Sequence, residues 1–130
     1  MRYFIDKEHY TRFRDLSILN PQISKFKDYF IPAYILSAME KTYRFGVDVI
    51  RIDGIHFHLS DDWGFSIGER VMINFACNIF KRNGDVIPNE NITSLLELDK
   101  DNQSVIFNSF NILTQNKITI ESVIQSGKEL

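Results

Sequence analysis

The sequence predicts a mainly α fold with a minor β component: a compact single-layer helical core of about four to five helices with one small β-hairpin. Three observations carry this expectation. Apolar residues recur at three-to-four-residue spacing along most of the chain. The period shortens to two only once, around Asp53-Gly54. Residues suited to capping stand ahead of several apolar runs.

Taken in order, Met1 to Ile5 is apolar and either pairs as a short strand or packs. Asp6 is placed to cap a helix from Lys7, on which Tyr10, Phe13 and Leu16 mark the buried face. Asn20-Pro21 ends that helix. Gln22 to Asp28 reads as a polar connection with two apolar anchors, Ile23 and Phe26. A second helix starts near Pro32, where a missing N–H costs little, and shows Ile31, Tyr34, Ile35, Ala38, Met39 and Thr42 on one face. Lys41 and Arg44 suit its last turn and Gly46 its stop.

Val47 to Ile52 and Ile55 to Leu59 flank Asp53-Gly54, a strong two-residue hairpin signal. The expected register sets Ile52 against Ile55, Ile50 against Phe57 and Asp48 against Leu59. One face is then apolar and the other mixed. After the turn at Ser60 to Gly64, Ser66 and Glu69 form a capping box for a helix over Ile67 to Arg82. Its apolar arc (Val71, Met72, Phe75, Ala76, Ile79, Phe80) is wide enough to predict the central helix of the core. Lys81-Arg82-Asn83-Gly84 ends it. A short helix is expected around Ile92 to Leu98, capped by Asn91. A longer one follows over Lys100 to Thr114, capped by Asp99, with Ile106, Phe107, Phe110 and Leu113 inward. Thr119 is positioned to cap a last helix through Ser126, with a strand over Lys117 to Ile120 as the alternative. The core is expected to hold Val71, Phe75, Ile79, Tyr34, Ile35, Ala38, Phe107 and Phe110. No repeat or linker interrupts the chain, so residues 1–130 are read as one domain.

Composition narrows the functional classes. The chain is 44% hydrophobic, with 11 Phe, 5 Tyr and 1 Trp, which is too apolar for a disordered protein. No apolar run approaches the roughly 18 residues that span a bilayer. Arg2, Asp6, Lys7 and Glu8 interrupt the start, leaving no signal-peptide core. A lone Cys77 cannot form an internal disulfide, and together these features predict a cytoplasmic protein with no membrane association. The net charge is −2, divided as +3 over residues 1–52 and −5 over residues 53–130. Neither part carries the clustered basic stripe of a nucleic-acid-binding domain. The abundance of Ile, Asn, Phe and Lys suits an AT-rich bacterial or phage gene.

Few residues are arranged for chemistry. His56 and His58 alternate on the expected strand, which puts their rings roughly 6–7 Å apart on one face. With further ligands they could hold a transition metal, His9, Asp61 and Asp62 being the obvious donors. The plainer reading sets both on the wetter face of the hairpin. His9 stands near Asp6 and Glu8, as a general base would, though a ring packed on a neighbouring helix accounts for it better. Cys77 lies mid-helix with no basic neighbour to lower its pKa and reads as a small core residue. No nucleophile elbow, phosphate-binding loop, dinucleotide fingerprint, Cys-x-x-Cys pair or calcium loop is present. Asn74 and Asn78, with Asn108 and Asn111, either link two helices through their amides or edge the solvent face.

Three segments resemble an uncharacterised family of small bacterial and phage-associated proteins, a domain of unknown function. They are Tyr3-Phe4-Ile5-Asp6-Lys7-Glu8-His9 with Phe13; Trp63 through Ser66 to Val71, Asn74-Phe75-Ala76 and Asn78-Ile79-Phe80; and Leu95 to Asp99 leading to Val105 through Phe110. The resemblance implies a compact helical fold and no particular activity.

The leading functional expectation is a small interaction or regulatory protein, an adaptor or inhibitor that binds another protein or itself as a homodimer. It has no catalytic residues and needs no cofactor. Trp63 and Phe65, large apolar groups in a glycine-containing turn, are the expected partner-binding residues. The alternatives are a metal-dependent enzyme built on His56 and His58, and a DNA-contacting regulator using Arg12, Arg14, Lys25 and Lys27.

Overall fold

The computed structural model describes residues 2–60, 63–81 and 92–130, and its fold is mainly α with a small two-stranded hairpin. Asp6 caps α1 (Lys7–Leu19), its carboxylate accepting from the His9 backbone N–H at 2.8 Å. Phe13 and Leu16 form its buried face, and Asn20 closes it. A 3-10 turn over Pro21–Ser24 buries Ile23, whereas Phe26 is left 58% exposed.

The next helix, α2 (Lys27–Leu36), begins before its expected start and holds Pro32 in its interior. Phe26 closes the first turn, its carbonyl accepting from Tyr29 and Phe30. Every residue from Phe30 to Leu36 is buried. A helix apolar on all sides belongs in the middle of a core, and α2 packs against helices on several sides. It, not the helix after the hairpin, is the central element.

The expected single helix through Thr42 is two helices. Between them Met39 is extended (φ −122°, ψ 146°), and α3 (Glu40–Val49) follows. Side chains satisfy the carbonyls that the break exposes. Arg12 donates from Nε to Ser37 O at 2.7 Å and from Nη2 to Ala38 O at 2.9 Å. The Thr42 hydroxyl donates to Leu36 O at 2.6 Å. Free carbonyls at a helix end need such partners when buried. One of them comes from a different helix, which the local sequence could not reveal.

Gly46 is not a stop. It lies inside α3, and a Cβ there would meet Leu16 Cδ1 at 3.5 Å and Leu36 Cδ1 at 3.6 Å. Thr42, Phe45, Gly46 and Val49 are the buried stripe, so the helical period continues through residues expected to form a strand. The hairpin is correspondingly short: β1 (Ile50–Arg51) pairs antiparallel with β2 (Gly54–Ile55). The register is Ile50 against Ile55 and Arg51 against Gly54, so Ile52 and Asp53 make the loop. The expected pairing of Ile52 with Ile55 is therefore incorrect. Burying Ile50 and Ile55 together fixes the observed register, since one residue of slip would turn them outward. Gly54 has φ +148°, which side-chain-bearing residues rarely adopt.

Residues Phe57–Ser60 form a 3-10 turn rather than a strand. Beyond it, α4 (Ile67–Lys81) begins with the expected capping box: Ser66 N–H donates to Glu69 Oε1 at 2.8 Å, and Glu69 N–H to Ser66 Oγ at 3.2 Å. Val71, Met72, Phe75, Ala76 and Ile79 are buried on α4. The expected stop at Arg82 to Gly84 and the Asn91 cap lie outside the described residues, as do Asp61 and Asp62. A 3-10 helix over Ile92–Glu97 precedes α5 (Lys100–Thr114), which Asp99 caps by accepting from Asn102 N–H at 2.9 Å. The buried face of α5 is Val105, Ile106, Ser109 and Ile112. Phe107, expected in the core, is 50% exposed, and Phe110 is half-buried, edge-on to Phe75 at 6.1 Å. The last helix, α6 (Ile120–Lys128), has a capping box between Thr119 and Ser122, and the alternative strand does not form. No helix among the described residues is long and apolar enough to cross a membrane.

Candidate functional site

The two ends of the helix bundle differ in character. At one end the segment before α1 is pinned to the core. Phe4 is buried and meets Tyr34 edge-on at 5.4 Å and Phe13 at 5.6 Å. His9 is fully buried, its Nδ1 accepting from Ile5 N–H at 3.1 Å and its Nε2 lying 2.9 Å from Tyr34 O. These contacts put the single imidazole proton on Nε2. Burial holds its pKa down to about 4; the Tyr34 carbonyl opposes that shift, nearby Arg12 adds to it and Asp6 opposes it. The Tyr34 hydroxyl, itself pushed up by burial, donates to Tyr3 O, and Asn108 Nδ2 donates to the Tyr34 oxygen at 3.3 Å. His9 is thus a structural latch with both nitrogens engaged, in line with the packing reading and not with a general base.

The opposite end is assembled by helix direction. Arg12 of α1 reaches the residues before α3, and Leu16 faces Gly46 within it, so α1 and α3 run side by side in the same sense. Gln22 Nε2 then donates to Arg51 O at 3.1 Å, which ties the connection after α1 to the hairpin after α3. Lys27 Nζ donates to Ile112 O at 2.7 Å and brings the last turn of α5 to the start of α2. Four segments therefore meet at this end, and three of them leave large apolar side chains uncovered: Leu19 (60% exposed), Phe26 (58%) and Ile52 (89%). Ile18, on the outer side of the same last turn of α1, is 69% exposed.

Sequence reasoning missed these residues as a group. Phe26 was expected to anchor a loop and Ile52 to pair in a strand. The available signals were the offset of Leu19 from the Phe13 and Leu16 face, and the position of Ile52 beside Asp53-Gly54.

The turn aromatics lie elsewhere. Trp63 and Phe65 stack at 5.7 Å with their planes 5° apart, and both meet Phe45 edge-on at 5.5 Å. Phe65 is only 6% exposed and Trp63 is partly buried. Lys41 lies over Phe65 at 5.6 Å from the ring centroid and donates to Gly64 O at 3.0 Å. Phe65 therefore packs as an edge of the core and presents little surface, while Trp63 keeps part of its ring open. A pocket of about 350 Å3 beside them is lined by Ser60, Gly64, Arg70 and Asn74.

His56 and His58 lie on a 3-10 segment and its approach, with ring centroids 5.7 Å apart. Asp53 Oδ1 is 3.0 Å from His56 Nε2, and that contact lowers the Asp53 pKa. Among the described residues no group of three or more His, Cys, Asp or Glu is placed to hold a metal ion. Cys77 is half-buried, with its pKa raised by burial. Asn74 is exposed, which fits the reading that it edges the solvent face, and Asn108 serves the Tyr34 latch. Of the four basic residues considered for DNA contact, Arg12 and Lys27 donate to backbone carbonyls, and Arg14 sits 3.6 Å from Asp15. No protein-family model, curated protein or solved structure matches the chain.

Proposed function

We propose that the chain is a small cytoplasmic interaction protein, a regulator, adaptor or inhibitor, that binds another protein or a second copy of itself through its apolar end and catalyses no reaction. The observation that carries this reading is that Leu19, Phe26 and Ile52, each more than half exposed, all stand at the end where α1, the hairpin and α2 meet. Single exposed apolar residues are ordinary, but several gathered at one end are characteristic of contact surfaces. Large aromatic and aliphatic anchors carry most of the energy at such surfaces. The buried state of His9 and the engagement of both its nitrogens support a non-catalytic role.

Photocrosslinking in cells tests the proposal. A photoreactive residue at position 52 should give a discrete crosslinked product, and one at Glu121, exposed on α6, should not. Adding Phe26→Asp to the position-52 chain should abolish the product. Equal products from both positions, or a product indifferent to Phe26→Asp, would refute it. The alternative, a metal-dependent activity at His56 and His58, would be favoured by stoichiometric zinc that is lost on His58→Ala.

A further inference from the structure

A second surface, distinct from the apolar end, lies along the seam between α1 and α6. There Gly127 is packed onto the Tyr10 ring so closely that a Cβ would collide with the ring carbons. The two helices are drawn together at this point, and a groove of about 390 Å3 opens beside the contact. Its lining includes Lys7, Thr11 and Arg14 from α1, with Lys128 from α6. Lys7, Arg14 and Lys128 are all exposed. Arg14 has one acidic neighbour, Asp15 at 3.6 Å, and the side chains of Lys7 and Lys128 make no ion pair or hydrogen bond among the described residues. Part of the case for Lys128 is local, since a cation in the last turn suits the helix dipole. Lys7 has no such reason to be there: at the start of α1 a cation is unfavourable.

We propose that this groove binds an acidic peptide segment of a partner protein. Three cations around an apolar floor, the Tyr10 ring, match a short stretch of carboxylates whose backbone and methylenes cover the ring. A nucleic acid fits less well. Three cations at one short groove make no continuous stripe for a phosphate backbone, and Glu8, Asp15, Glu121 and Glu129, on the same two helices but outside the groove's lining, would oppose a polyanion that runs beyond it. The inference goes beyond the apolar-end proposal and does not rest on it.

Fluorescence anisotropy with a labelled oligoglutamate peptide provides the test, run at low salt and again at about 0.15 M. Saturable binding that weakens with salt is expected. The double reversal Lys7→Glu/Lys128→Glu should weaken it at least tenfold without changing the melting temperature. Lys100→Glu, an exposed lysine on α5, should leave it unchanged, and so should Ile52→Asp. Absence of saturable binding, equal loss from Lys100→Glu, or tighter binding of a single-stranded oligonucleotide than of the peptide would each overturn the proposal.

Discussion

Phe4 and Phe26 are the same residue type at opposite ends of one bundle, and they meet opposite fates. Phe4 is 1% exposed, ringed by His9, Tyr10, Phe13 and Tyr34; Phe26 is 58% exposed at the entrance to α2. Around Phe4 the polar groups are engaged as well, through His9, Tyr34 and Asn108. Around Phe26 the neighbouring segments are tied down by Gln22 and Lys27, yet Leu19, Phe26 and Ile52 are left exposed. One end uses its aromatics to hold the fold, and the other leaves Phe26 exposed, the basis of the proposal that this end serves contact.

The widest contrast should come from that pair. Phe4→Ala removes a buried ring and is expected to cost about 3–5 kcal/mol in chemical denaturation, whereas Phe26→Ala should cost about 0.5 kcal/mol or less. Similar losses from both would erase the distinction between the ends.

Acid should loosen the latched end selectively. His9 is neutral when folded, with a pKa near 4, against an ordinary value of 6.5 once unfolded. The unfolded chain therefore binds the proton first as pH falls, and stability contributed by neutral His9 is present above pH 6.5 and lost on the way down to about 4. The gap corresponds to about 3 kcal/mol. His9→Gln, which keeps a donor and an acceptor without titrating, should flatten the stability–pH curve across that window by a comparable amount. An unchanged slope would show that His9 is accessible to protons in the folded state.

Thr42→Val tests the break between α2 and α3. It preserves shape but deletes the hydroxyl that donates to Leu36 O, so a loss of about 1–2 kcal/mol is expected from urea unfolding. Gly54→Val, at the apolar end, should cost about 1 kcal/mol or more because a β-branched residue resists the positive φ found there. Its effect should remain local, with the amides of α4 retaining their hydrogen-exchange protection.

What was legible in the sequence follows the range of the interactions concerned. Caps act over three residues, and Asp6, Ser66 with Glu69, Asp99 and Thr119 all cap the helices expected of them. The mainly α class followed from the same periodicity. The position of α2 was harder to read, because a helix buried on every side has no polar face to reveal its period. The break at Ser37 to Met39 depends on Arg12, a residue 25 positions away from Ser37. Val47 and Val49 satisfy a strand pattern and a helix pattern alike, and the packing of Phe45 and Gly46 decided for the helix. The apolar end was invisible for a simpler reason. Sequence can flag Leu19, Phe26 and Ile52 as hydrophobic, but only the relative directions of α1, α2 and α3 show that they stand uncovered at the same end.

The central claim, that the apolar end serves contact and not folding, is tested most directly by the double variant Phe26→Asp/Ile52→Asp in paired measurements of unfolding and association. Both positions are more than half exposed, so the unfolding free energy should move by less than about 1 kcal/mol. Association, read by light scattering for self-contact and by recovery of the position-52 crosslink for a partner, should be lost. A variant that unfolds while association of the surviving folded fraction persists would contradict the claim.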